Sequence, residues 1–174
     1  MKSRDYITQI MSFVVFITIQ LLFTRNMVIY GVAFNYIYVG FLLLLPFDTS
    51  RLLLLALGFT TGIFLDIFYD SLGIHAASAV AIMFVRPWWI NIITPRGGYD
   101  DSPAPLLNQM GFQWFSTYAF PLIVIHHACL FYIEVGGGTH FWFSLTKVIF
   151  SSAFTFATLV ILQYLFFEKR RRML

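Results

Sequence analysis

The stretch Leu52-Leu53-Leu54-Leu55-Ala56-Leu57-Gly58-Phe59-Thr60-Thr61-Gly62-Ile63-Phe64-Leu65-Asp66-Ile67-Phe68-Tyr69 lies between Arg51 and Asp70 and contains a single charge. At about 1.5 Å per residue, a helix over it covers most of the roughly 30 Å of a bilayer's hydrocarbon. Gly58, Gly62, Asp66 and Asp70 recur at every fourth position. Successive members advance by only about 40° around a helix of 3.6 residues per turn, so they form one stripe. Glycines four apart admit a second helix at close range. A charge inside a span costs on the order of 2.5–3.5 kcal/mol on insertion scales and has to face protein or a cavity. The stripe is therefore expected to face a neighbouring helix, with a donor meeting Asp66 there.

Composition extends this reading to the whole chain. Of 174 residues, 59% are hydrophobic and 11% charged, and mean hydropathy is +0.79. Soluble domains average about 25% charged residues, and a chain this short could not hide so much apolar surface in one aqueous core. One cysteine, Cys129, cannot pair within the chain. The net charge of +3 resides largely in loops and tails, so it reads as membrane topology and no nucleic-acid partner is expected.

Six charge-poor intervals emerge: 6–24, 28–46, 52–69, 73–89, 112–133 and 144–167. The fourth contains Arg86, the fifth Pro121, and the sixth Lys147 in its first turn. The expected fold is an all-α integral membrane protein, a compact bundle of six transmembrane helices forming a single domain over 1–174. The first span follows Lys2 and Arg4 but is too long for a signal peptide and lacks a small-residue cleavage pattern, so it reads as a retained helix. Six spans put both termini on one side. Placing them in the cytoplasm assigns nine basic residues to the inner side and only Arg25 and Lys147 to the outer. The tail residues Lys169, Arg170, Arg171 and Arg172 follow from that topology, and they are also candidate contacts for anionic lipid. Residues 91–111 read as an inner connector, rich in turn formers.

Depth narrows the partner of Asp66. It lies within about a turn of the outer end of its span, level with Lys147, Arg25 and His75, and Lys147 is the first candidate for an ion pair. Gln20, Asn35, Arg86, His126, His127 and Gln163 read as hydrogen-bonding groups between helices. Adjacent His126 and His127 point about 100° apart on a helix, so no metal site is expected from them with Cys129, and no cofactor. Walker, GxSxG, HExxH and Rossmann patterns do not occur, and no catalytic role is expected.

The segment Gly58 to Phe68, followed by Leu72-Gly73 and Ala76-Ala77, resembles the Gly-x-x-x-Gly-x-x-x-Asp and Gly-x-x-Ala pattern of the rod shape-determining protein MreD family. Motif-level likeness covers roughly residues 29–87, while the last two spans agree only in hydropathy. The resemblance implies a multi-pass protein of the bacterial inner membrane without chemistry of its own. It would regulate cell shape and lateral peptidoglycan synthesis beside an MreC-like bitopic protein, an MreB-type filament, and the peptidoglycan glycosyltransferase and transpeptidase. It also implies a fold similar to the substrate-binding subunits of energy-coupling-factor transporters. Gly58, Gly62, Asp66, Gly73 and Ala76 carry over as packing and positioning residues. Members often have Pro early in the second span, where this chain has Asn35, a departure that puts any helix break there in doubt. The alternative is a vitamin-binding subunit of an energy-coupling-factor transporter. Such subunits dock through Ala-x-x-x-Ala in the first span, and residues 6–24 contain no Ala.

Overall fold

The computed structural model describes residues 3–99, 103–136 and 141–166. The basic tail, Lys169 to Arg172, lies outside them. Five long helices dominate. Helix α1 (Ser3–Ile19) continues into a π-helical turn, Gln20–Thr24. Helices α3 (Arg51–Tyr69) and α4 (Ile74–Ile92) form a tight hairpin, and α6 (Phe112–Glu134) and α7 (Phe141–Phe166) complete the set. A short α5 (Leu107–Met110) lies in the connector before α6. Helices α4 and α6 run unbroken through Pro87 and Pro121.

The stretches Ile7–Thr24, Arg51–Tyr69, Phe112–Glu134 and Phe141–Phe166 are long and apolar enough to cross a membrane. Their outer faces agree with that reading: Leu22 is 73% exposed, Leu52 80%, Phe112 52% and Ile161 56%, large apolar side chains of the kind that soluble monomers rarely expose in contiguous patches. The chain is thus a mostly helical bundle with the character of a multi-pass membrane protein. Helix α4 is as long as α3, but its His75, Ser78 and Arg86 are turned inward and buried.

The second expected helix, 28–46, is not one. It opens as a hairpin in which β1 (Val28–Ile29) pairs antiparallel with β2 (Ala33–Phe34). Tyr30 (φ 51°) and Gly31 (φ 71°) make the left-handed turn between them, the backbone pattern of a type I′ connection. An irregular run through Asn35 to Tyr38 then leads into α2 (Val39–Leu43). This segment is the axis of the core, with Ile37, Tyr38, Val39, Leu42 and Leu43 all at 0% exposure. Non-helical backbone is tolerated at such depth only where protein satisfies its polar groups. Side chains do so here: Phe34 N donates to Ser151 Oγ (2.9 Å), Tyr36 N to Thr155 Oγ1 (3.1 Å), and Tyr38 N to Gln20 Oε1 (3.2 Å). Gln20 Nε2 in turn donates to Asn35 O (3.2 Å). Of the groups expected to bond between helices, Gln20 is spent on this buried loop, whereas Arg86 with Tyr118 (2.7 Å) and His127 with Thr155 (3.2 Å) do join one helix to another.

Gln20, at the end of α1, bonds Tyr69 Oη at the end of α3 (2.6 Å), so those helices run the same way and residues 28–46 must return between them. Two ends can be named accordingly. The basal end holds Ser50, Asn91 and Phe112, where Phe47, Tyr99 and Trp114 cluster with centroids 4.2–5.8 Å apart. The apical end holds Asp66, Glu134 and Phe141.

Candidate functional site

The glycine stripe of α3 lies against α4. A Cβ at Gly62 would fall inside the backbone of Ala76, and one at Gly58 would meet Met83 Cγ at 2.9 Å and Ala79 O at 3.1 Å. At the apical end of this joint Asp66 is buried, 7% exposed, and it meets the first turn of α4. Its Oδ1 accepts from His75 N (2.9 Å) and its Oδ2 from Ala76 N (3.0 Å). Those donors are orphans at any helix start and are normally taken by the side chain of the N-cap residue. The N-cap here is Gly73, which has no side chain and sits at φ 90°. Asp66 supplies the missing cap from the neighbouring helix and places its negative charge at the positive end of the α4 dipole.

Ser71 and His75 complete the group. Ser71 Oγ donates to Asp66 Oδ1 (2.7 Å), and His75 Nδ1 lies 3.0 Å from the same oxygen and 2.7 Å from Ser71 Oγ. The composition is Ser, His and Asp, but the arrangement is not that of a nucleophilic triad. A triad needs the hydroxyl and the carboxylate on opposite ring nitrogens, and here both converge on Nδ1. The arrangement closes a helix turn and leaves His75 Nε2 buried with no partner.

Lys147 does not meet Asp66. Its Nζ lies 3.4 Å from Glu134 Oε2 and over the rings of Phe34 and Phe131, each at 5.2 Å. The expected ion pair is replaced by His75 on Asp66 and Glu134 on Lys147. Gly58, Gly62, Asp66 and Ala76 are brought into one joint as expected. Gly73 belongs to it differently: nothing lies within 4 Å of a Cβ there, and its left-handed φ is what calls for glycine. Ser71 is the member of the group that the four-residue spacing does not single out; it stands two residues before the N-cap Gly73.

A second buried charge sits near the basal end. Arg86, 1% exposed, donates through Nε to Tyr118 Oη (2.7 Å) and through Nη2 to Leu45 O, while Tyr118 Oη donates to Leu43 O (2.7 Å). The guanidinium thus ties the end of α2 to α4 and α6. Between the two charges, Tyr36 is ringed by His75, His126, His127 and Phe131 with centroids 5.4–6.2 Å away. His126 Nε2 pairs with Tyr38 Oη (2.5 Å), and His127 Nδ1 with Ile123 O (2.8 Å).

Compared with protein-family models, curated proteins and solved structures, the chain matches none of them.

Proposed function

We propose that the chain is a non-catalytic, multi-pass scaffold of the bacterial inner membrane, of the MreD kind, crossing the bilayer six times with both termini in the cytoplasm. Five crossings are helical and the crossing over 28–46 is mixed. The observation that carries this reading is the fate of the intramembrane charges. Asp66 is engaged by the first turn of α4, and Arg86 is anchored through two donors, to Leu45 O and Tyr118 Oη, so neither stands in a nucleophilic triad. Charges that tie helices together in this way suit a bundle that acts by binding neighbours in the bilayer. The residues of the Gly58 to Ala76 motif, on which the resemblance rests, form one contiguous joint, as positioning residues should. The basal end carries Arg51, Arg86 and Arg96, in keeping with a cytoplasmic placement.

On this reading the partners are an MreC-like bitopic protein, an MreB-type filament, and the glycosyltransferase and transpeptidase of lateral wall synthesis. The vitamin-binding alternative draws on the aromatic and imidazole cluster of the apical half. Tyr36 itself fills the centre of that cluster, which disfavours it. The test is depletion in the native bacterium with cell width followed by microscopy. Rounding that wild-type protein reverses and Asp66→Leu does not would support the scaffold; unchanged width after full depletion would refute it.

A further inference from the structure

Arg86 is a full positive charge, 1% exposed, and among the described residues no carboxylate lies within ion-pair distance of it. Its two hydrogen bonds go to neutral oxygens, Tyr118 Oη and Leu45 O. Buried charges are ordinarily paired, because hydrogen bonds to neutral groups only partly replace water. Asp48, the nearest acidic residue in sequence to this region, is exposed and makes no ion pair.

Beside Arg86 the basal end contains a cavity of about 280 Å³, partly open to the surface. Its wall includes Thr49, Ser50, Arg51, Arg86 and Asn91, so two guanidinium-bearing residues and three neutral polar ones share one small space. Ser50 is the N-cap of α3, whose Oγ accepts from Leu53 N, and the first N–H groups of that 19-residue helix add a positive end beside the two arginines. The volume lies at the small end of ligand pockets. Arg51 is exposed and its side chain makes no ion pair among the described residues, so its fork can close over a ligand. Thr49 also lines an apolar groove of about 330 Å³ between α1 and α3, which passes Phe13, Phe41 and Leu57. A polar, cationic cup thus adjoins an apolar trough.

We propose that this cup binds a phosphate group, held by Arg86 from the buried side, by Arg51 from the open side, and by the start of α3. The phosphate is either the headgroup of an anionic phospholipid, with an acyl chain in the adjoining groove, or free phosphate. Planar guanidinium forks match phosphate oxygens two at a time, which suits the pair to this chemistry.

The test uses the full chain purified in a neutral detergent, with melting temperature followed during titration of phosphatidylglycerol, phosphatidylcholine or inorganic phosphate. A saturable rise with phosphatidylglycerol but not phosphatidylcholine is expected, and Arg51→Gln should raise the half-saturating concentration roughly tenfold, the loss of one charge-assisted hydrogen bond. Arg51→Gln carries the test because Arg86 also holds Leu45 and Tyr118. Lys147→Gln, at the other end of the bundle, should titrate like wild type. A matching rise with inorganic phosphate identifies free phosphate as a sufficient ligand, and a rise with lipid alone identifies the headgroup. Equal responses to the two lipids with none to phosphate would overturn the site, as would an Arg51→Gln titration indistinguishable from wild type. So would a missing anion response accompanied by a lowered melting temperature in Asp100→Asn/Asp101→Asn, since the counter-charge would then come from the chain itself.

Discussion

Asp66 caps the helix that begins after Gly73: a carboxylate on α3 takes the two backbone donors, His75 N and Ala76 N, that a side chain at Gly73 would otherwise hold. The glycine frees the turn to close, and the aspartate performs the capping from across the joint. Removing the carboxylate strands the two buried backbone N–H groups of His75 and Ala76 and leaves Ser71 Oγ and His75 Nδ1 only each other. A lost cap costs about 1 kcal/mol and each stranded buried donor about 1–3 kcal/mol. Asp66→Leu is therefore expected to lower stability by at least about 2 kcal/mol and to reduce accumulation in the membrane. Asp66→Asn, which keeps an acceptor, should lose less. Asp70, exposed at φ 54° just past the end of α3, should tolerate Asp70→Leu far better. Melting temperatures in detergent and membrane levels of the three variants check the ranking.

The glycines of the joint separate by mechanism. Gly62→Ala drives a Cβ into the backbone of Ala76, which cannot move without parting the helices, so it should be the most damaging of the three. Gly58→Ala meets the flexible Met83 side chain as well as Ala79 O and should cost less. Gly73→Ala has open space and suffers only backbone strain, on the order of 1 kcal/mol. Melting temperatures falling in the order Gly62, Gly58, Gly73 are the expected outcome.

Tyr118→Phe removes the hydroxyl that accepts from Arg86 and donates to Leu43 O. It should destabilise by about 1–3 kcal/mol although it deletes one atom from a packed core. Tyr132→Phe, whose hydroxyl makes a partly exposed 3.4 Å bond to Phe141 O, should be nearly silent. Thermal unfolding of the two variants side by side reads the difference.

The buried loop is held by α7. Ser151→Ala and Thr155→Val each orphan a backbone donor, Phe34 N or Tyr36 N, at 0% exposure of the lost partner. Each should cost about 1–3 kcal/mol. Ser116→Ala, whose hydroxyl only bonds Phe112 O within its own helix, should cost little. Hydrogen exchange at residues 34–38 should quicken in the first two variants and not in the third.

Lys147 and Glu134 form a partly exposed pair at 3.4 Å, with the glutamate side chain 48% exposed. Such pairs contribute about 0–1 kcal/mol. A double-mutant cycle on Glu134→Gln and Lys147→Gln should give a coupling below about 1 kcal/mol, and a cycle between Lys147 and Asp66 should give none.

The α3 joint was legible in the sequence because its signal is periodic: glycines and aspartate four apart fall on one face whatever surrounds them. The partner of Asp66 was not, because depth along a span says nothing about direction around the bundle. Lys147 is at the right level but faces Glu134, 13 residues earlier across the apical connection. The course of 28–46 was hidden for a different reason. Hydropathy reports burial, and residues 35–45 are buried without interruption, yet the groups that make the non-helical backbone tolerable, Gln20, Ser151 and Thr155, belong to other helices. A local signal existed in Val28, Tyr30, Val32, Phe34, Tyr36 and Tyr38, β-branched or aromatic at alternate positions around Gly31.

The measurement closest to the central claim is affinity purification of the tagged chain at native expression level after gentle solubilisation, with mass spectrometry of what accompanies it. Recovery of an MreC-like bitopic protein with cell-wall synthases, diminished in Asp66→Leu beyond the drop in its own level, is the expected result. Recovery instead of paired ATPases with a coupling membrane subunit would contradict the scaffold reading and assign the bundle to transport.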